Sequence, residues 1–204
     1  MPCSRLLRRG HRSWQTLTFV RPLLFLCRIV FPSSYMLDSI FPVCANTICS
    51  YGPSHIGGVF LMLGSLGVII QGGLIGKLTE LFGEKKLVQL AALSLMTGLT
   101  VIGSASFEFS LWIGLFFFGC GAAIFNPSLS SLISKSADPS STGQYLGHYQ
   151  AACSMGRIVG PSISGLLYSY FHVSTPFYFG AIIAIPVILL IATFTLRKIP
   201  KIIK

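Results

Sequence analysis

Acidic side chains are nearly missing from this chain: five Asp and Glu stand among 204 residues, against fifteen Lys and Arg. So few acids exclude paired-carboxylate acid–base chemistry. Charge of either sign is scarce as well. Charged residues make up 10% of the chain, where a soluble domain carries about 25%, so a water-soluble fold lacks the residues to cover its surface. The six cysteines, Cys3, Cys27, Cys44, Cys49, Cys120 and Cys153, form no C-x-x-C, and no Cys/His spacing suits zinc. There is no Gly-x-Ser-x-Gly elbow, no His-Glu-x-x-His and no phosphate loop. The chain reads as neither an enzyme nor a holder of a metal or cofactor.

What it has in abundance is apolar sequence, 52% by composition with mean hydropathy +0.75. The apolar residues fall in blocks of about twenty, the length that crosses a hydrocarbon core about 30 Å thick. Five blocks are clear: 57–75, 87–106, 109–134, 145–170 and 176–196. None holds an acid in its interior, and Arg157 is the one Lys or Arg inside them. A sixth block, 19–50, is interrupted by Arg21, Arg28 and Asp38 and by Pro22, Pro32 and Pro42. Its span is placed over residues 30–48; the alternative is an interfacial segment with Arg21 and Arg28 snorkelling toward headgroups. The expected fold is all-α, a multi-pass membrane protein of about six transmembrane helices. It divides into a basic N-terminal segment (1–29), a membrane domain (30–196) and a basic tail (197–204).

The formal charge of +10 sits where it would anchor a membrane chain. Arg5, Arg8, Arg9 and Arg12 precede the first block, and Arg197, Lys198, Lys201 and Lys204 follow the last. This placement argues against a nucleic-acid partner and for a lipid bilayer. Two loops on one side carry Lys77, Lys85, Lys86 and Lys135, and the three opposite loops carry no Lys or Arg. Six spans then put both termini on the cytoplasmic side. The acid-free first 37 residues also have the composition of a mitochondrial presequence, the alternative to a basic lead-in. Cys44 and Cys49 either pair on the far face or remain free thiols near a helix end.

Block 145–170, the fifth of the six in chain order, shows helical periodicity. Gln150, Ser154, Arg157, Ser164 and Tyr168 fall on one stripe at about 100° per residue. Ala152, Gly156, Gly160 and Ser164 recur every fourth residue as a close-packing face. Arg157 lies near the centre of the span, where a guanidinium costs several kcal/mol unless it meets a partner or water. It either contacts a solute or counter-charge in a cavity, or forms a structural pair with a neighbouring helix. Gln71, Asn126 and Asp38 are further polar groups within spans, and His148 lies nearer the cytoplasmic end.

The loop after the second block reads Gly72-Gly73-Leu74-Ile75-Gly76-Lys77-Leu78-Thr79-Glu80-Leu81-Phe82-Gly83-Glu84-Lys85-Lys86. Gly72 and Gly76 suit close helix approach, Gly83 permits positive φ at a reversal, and Glu80 suits a helix N-terminus or a basic partner. This stretch resembles the loop signature of the major facilitator superfamily, Gly-x-Leu-x-Asp-Arg-x-Gly-Arg-Lys/Arg. Gly76, Leu78, Gly83 and Lys85 match it, with Lys86 beside them, and Glu80 stands for the Asp. Leu81 replaces the usual Arg, and Glu84 replaces a basic residue. Asn126-Pro127, Ala137-Asp138-Pro139, Gly143 with Gly147, and Gly156-Arg157 with Gly160-Pro161 and Gly165 follow in order. The set resembles the last helices of tetracycline-resistance-like drug:proton antiporters and of related vertebrate orphan transporters with a major facilitator domain, over about residues 53–196.

The resemblance implies the C-terminal half of a secondary transporter: six helices as two inverted three-helix repeats, with a solute site at the midplane between halves. It implies a small organic or drug-like solute, proton coupling, and a missing N-terminal six-helix half or full-length relative as partner. On this reading the chain is a fragment or short isoform, inactive alone. Two alternatives stand beside it: a non-transporting protein that regulates a full-length transporter, and a homodimeric six-helix channel or transporter.

Overall fold

The computed structural model describes residues 35, 37–47, 50–137, 139, 141–172 and 174–196. The expected basic ends, 1–29 and 197–204, lie outside the described residues, as do Cys3, Cys27 and Cys49. Among the described residues every regular element is helical. Helix α1 covers residues 37–47, α2 Pro53–Ile69, α3 Ile75–Phe82 and α4 Glu84–Gly103. Then come α5 Glu108–Ser136, α6 Thr142–Tyr170 and α7 Thr175–Leu196. A π-helical turn, Ile70–Leu74, joins α2 to α3, so the two run as one rod from Pro53 to Phe82.

By length and composition, Pro53–Phe82, Glu84–Gly103 and Glu108–Ser136 are each able to cross a membrane. Helix α6 is as long as α5 but more polar, because its sequence holds His148, Gln150, Arg157 and several serines. The protein is an integral membrane protein with an all-helical fold.

Helices α4 and α5 form the centre of the bundle, α7 packs on α4, and α2 packs on α5. The α4–α5 contact is backbone to backbone. A Cβ added at Gly98 would lie 2.5 Å from the Phe118 amide nitrogen, and one at Gly121 would lie 2.7 Å from that of Leu95. Small residues allow such an approach, which stands in for the hydrophobic drive that lipid does not supply. Around this seam Val88, Leu95, Leu99, Leu115 and Leu129 are buried.

Helix α1 buries Leu37, Ile40, Phe41, Cys44 and Ala45. Their i, i+3, i+4, i+7 spacing is one helical face, and it leaves Asp38 and Ser39 on the exposed side. Helix α6 buries Ala152, Gly156, Gly160 and Ser164, along with Tyr149 and Cys153. The Ser164 hydroxyl is 3.0 Å from that of Ser39 in α1, so the small-residue face of α6 carries a polar contact as well. Gly165 lies off this face, with no neighbour within 4 Å of an added Cβ, and Pro161 is half-buried.

The glycine-hinged turn after the second block takes its bend at Gly83, with φ 73° and ψ 151°. Positive φ is a conformation that only glycine adopts readily. Gly76, Leu78 and Glu80 lie on α3 before the bend, and Lys85 and Lys86 lie in the first turn of α4. A Cβ added at Gly72 or Gly76 would meet nothing within 4 Å among the described residues. The acid that ties this region down is Glu84 rather than Glu80. Its carboxylate pairs with Lys135 Nζ at 2.6 Å and accepts a hydrogen bond from Ser131 Oγ, fastening the start of α4 to the end of α5.

At the other end of the bundle, buried Tyr51 donates its hydroxyl proton to Glu108 Oε1 at 2.6 Å. Trp112 Nε1 lies 3.5 Å from the same oxygen, and His55 stacks on the Tyr51 ring at 5.2 Å. This cluster joins the α1–α2 connection to the first turn of α5.

Candidate functional site

Four of the six polar residues expected to line a cavity share one. A cavity of about 410 Å³ is bounded by the π turn, α5 and α6, with Tyr35 from the start of the chain's described part. Gln71 comes from the π turn, Asn126 from α5, and Gln150 and Arg157 from α6. A π turn re-aims side chains relative to a plain α-helix and recurs at functional sites. The Gly72-Gly73 pair after Gln71 accommodates the wider turn. Ser154 does not line the cavity; it is exposed and donates to the Gln150 carbonyl one turn earlier, at 3.1 Å. His148 is exposed.

Asp38 lines a second cavity, of about 320 Å³, between α1, α2 and α5. Its walls are mostly apolar: Phe60, Leu63, Phe118 and Ala122 lie there with Gly64, Gly67 and Gly119. Gln71 and Asn126 line both spaces, so the two cavities adjoin at these amides.

The Arg157 guanidinium stands over the Tyr35 ring, 5.3 Å from its centroid. A cation over an aromatic face gains about 0.5–2 kcal/mol, more where water is excluded. The contact orients the guanidinium, which also hydrogen-bonds Tyr35, and leaves further N–H groups of the fork for acceptors in the plane of the group. Two prolines add carbonyl acceptors nearby. Pro161 has no N–H to offer the Arg157 carbonyl, and Pro127 has none for that of Ala123, another residue of the second cavity.

Asn126 is fixed from the opposite helix. The Tyr149 hydroxyl lies 3.2 Å from the Asn126 carbonyl and 3.4 Å from Oδ1. Tyr149 itself is buried, so it is the post that sets the amide at the junction of the cavities. Sequence reasoning missed Tyr35, Tyr149 and the π turn. Tyr149 precedes Cys153 by four residues on the buried face, a spacing visible in the sequence. No comparable signal pointed to Tyr35.

The cavity presents one guanidinium and three side-chain amides, and its described lining holds no nucleophile–base pair. Among the described residues no group of three His, Cys, Asp or Glu is placed to hold a metal.

The sequence profile of the Major Facilitator Superfamily matches residues 14–203. Solute carrier family 22 member 18 of Rattus norvegicus is 30% identical over 155 residues, covering 74% of this chain and 37% of that protein. The class H tetracycline resistance protein of Pasteurella multocida is 27% identical over 122 residues, covering 59% of this chain and 30% of that one. Among solved structures, the human organic anion transporter MFSD10 (TETRAN) superposes with a TM-score of 0.77 at 21% identity. It covers 86% of this chain and 41% of its own. The chain thus spans less than half the length of these relatives.

Proposed function

This chain belongs to the Major Facilitator Superfamily, and we propose that it forms the C-terminal six-helix wall of a secondary active transporter. The six helices are two inverted three-helix repeats, and the cavity they wall is completed by a second six-helix half. The solute is a small organic, drug-like molecule moved in exchange for protons. A rocking motion of one half against the other exposes the site alternately to each side. Both termini lie in the cytoplasm, and the chain by itself does not transport.

The observation that carries this reading is the position of Arg157. It stands midway along α6, lining a cavity and held over Tyr35, and among the described residues it makes no ion pair. A charge at that depth has to face water or protein. A solvated cavity between two halves supplies that setting, and lipid does not. Gln71, Asn126 and Gln150 then supply neutral donors and acceptors around the charge, and Asp38 is the carboxylate available to carry a proton. The likeness to an organic anion transporter agrees with a guanidinium contacting a negative group on the solute.

A flux assay in proteoliposomes tests the reading with the chain joined to an N-terminal half. Solute-dependent, proton-gradient-coupled flux that is lost in Arg157→Ala at normal protein level supports it. Normal flux in Arg157→Ala at normal level overturns it. A second reading is a non-transporting chain that binds and regulates a full-length relative through the exposed apolar face of the rod Pro53–Phe82. Co-purification with such a relative, whose flux changes on binding, separates the two.

A further inference from the structure

The two adjoining cavities carry opposite charges. Arg157 lines one and Asp38 the other, with Gln71 and Asn126 common to both. Asp38 lies three residues after Tyr35 in the sequence, and Tyr35 lies beneath the Arg157 guanidinium. Measured down the helices at ~1.5 Å per residue, Asp38 sits ~14 Å from the end of α1 at Thr47, and Arg157 ~20 Å from the end of α6 at Tyr170. Both helix ends lie on the same side of the bundle, so the two charges differ in depth by about one turn.

The two charges line adjoining spaces, and among the described residues no N···O contact within 4.0 Å joins them. Among the described residues the Asp38 carboxylate takes no hydrogen bond or ion pair, and it is exposed. Opposite charges left apart at mid-membrane depth are costly, and each keeps open hydrogen-bonding capacity toward the shared space.

We propose that the joined cavities bind a zwitterionic amphiphile, its anionic group on Arg157 and its ammonium on Asp38, with its apolar body in the slot formed by Phe60, Leu63 and Phe118. This deepens the transport reading and rests on it. A solute with only an anionic group leaves Asp38 unmatched, and one with only a cationic group leaves Arg157 unmatched. A zwitterion satisfies both charges at once. The Asn126 amide oxygen, which lines both spaces, adds an acceptor for a remaining ammonium proton. Spaces of about 410 and 320 Å³ lie within the ordinary range for small-molecule sites, about 300–1,000 Å³, and suit an aryl-bearing solute.

The test uses three matched probes on the chain joined to an N-terminal half, in lipid nanodiscs: O-benzyltyrosine (zwitterion), its N-acetyl derivative (anion) and its methyl ester (cation). The zwitterion is expected to bind at least tenfold more tightly than either derivative. In Asp38→Asn the zwitterion should fall to the level of the anion, while binding of the anion is unchanged or improved. In Arg157→Gln it should fall to the level of the cation. Retained binding of the single-charge probe shows in each case that the variant is folded.

Equal affinity of the anion and the zwitterion for the unsubstituted chain overturns the proposal. So does an unchanged preference in Asp38→Asn, or no binding of any probe. Arg157-dependent flux of purely anionic solutes by the assembled transporter would sink the zwitterion site and leave the transport reading standing. The stated probe ranking without flux from the assembled transporter would do the reverse.

Discussion

Arg157 has two possible fates in a membrane, and its surroundings decide between them. A buried ion pair loses about 3–5 kcal/mol when one partner is removed, which would appear as low abundance. Arg157 instead faces a cavity across the Tyr35 ring. Arg157→Ala is therefore expected to reach its membrane at near-normal level and to lose flux in the assembled transporter. Arg157→Lys keeps the charge but not the planar fork, and should retain only part of the flux. Surface level and flux measured together check this, and low level with normal flux per molecule contradicts it. The Glu84–Lys135 pair is a different case. Lys135 is 67% exposed, and exposed pairs are worth about 0–1 kcal/mol. Lys135→Ala should lower the melting temperature only slightly. Glu84→Ala should cost more, because Ser131 loses its acceptor too. A double-mutant cycle showing no coupling between the two positions would refute the pair.

Among the elements, α4 and α5 hold the bundle together through glycine. At Gly98 an added methyl meets the Phe118 backbone at 2.5 Å, and backbone cannot yield as a flexible side chain does. Gly98→Ala should destabilise by about 1–3 kcal/mol, the usual cost of overpacking a tight interface. Gly165→Ala is its control. That position is open and helical, so the substitution should be neutral or stabilising by up to about 1 kcal/mol. Thermal melts of the two variants in the same detergent test the contrast; equal melting temperatures would show that the α4–α5 seam is not the tight contact described. The connection before α5 provides a smaller test. Tyr51→Phe removes the 2.6 Å bond to Glu108 and should lower the melting temperature only modestly, because the carboxylate faces solvent and can bond water instead.

For the whole molecule, the uncovered surface is informative. In the rod Pro53–Phe82 only 11% of the most apolar stretch is buried, with Leu61, Val68 and Ile69 exposed. Such a rod needs lipid or another protein against it. The chain alone is expected to give no saturable, gradient-coupled flux when reconstituted, since one wall does not close a cavity; such flux, shown free of host transporters, would refute the proposal. The loops without Lys or Arg predict the orientation. Single cysteines at Ser54, Ser106 and Ser174, in a background without the native ones, should label with an impermeant reagent from outside. Labelling near Lys85 from outside, with none at those three, would invert the topology.

Read from its sequence, the chain already had its membrane class, the apolar blocks and the helical face of α6 that buries Ala152, Gly156 and Gly160. Hydrophobic length and the period of a helix are local properties, so they survive whatever the helices pack against. Gly83 was legible for the same reason, since positive φ is a property of one residue. Which polar groups meet was not legible. Gln71, Asn126, Gln150 and Arg157 lie on separate elements, and their convergence on one cavity depends on how the helices cross. So does the pairing of Glu84 with Lys135, and the close approach of α4 and α5 at Gly98 and Gly121. Periodicity fixes the faces of each helix; packing between helices decides which faces share a space.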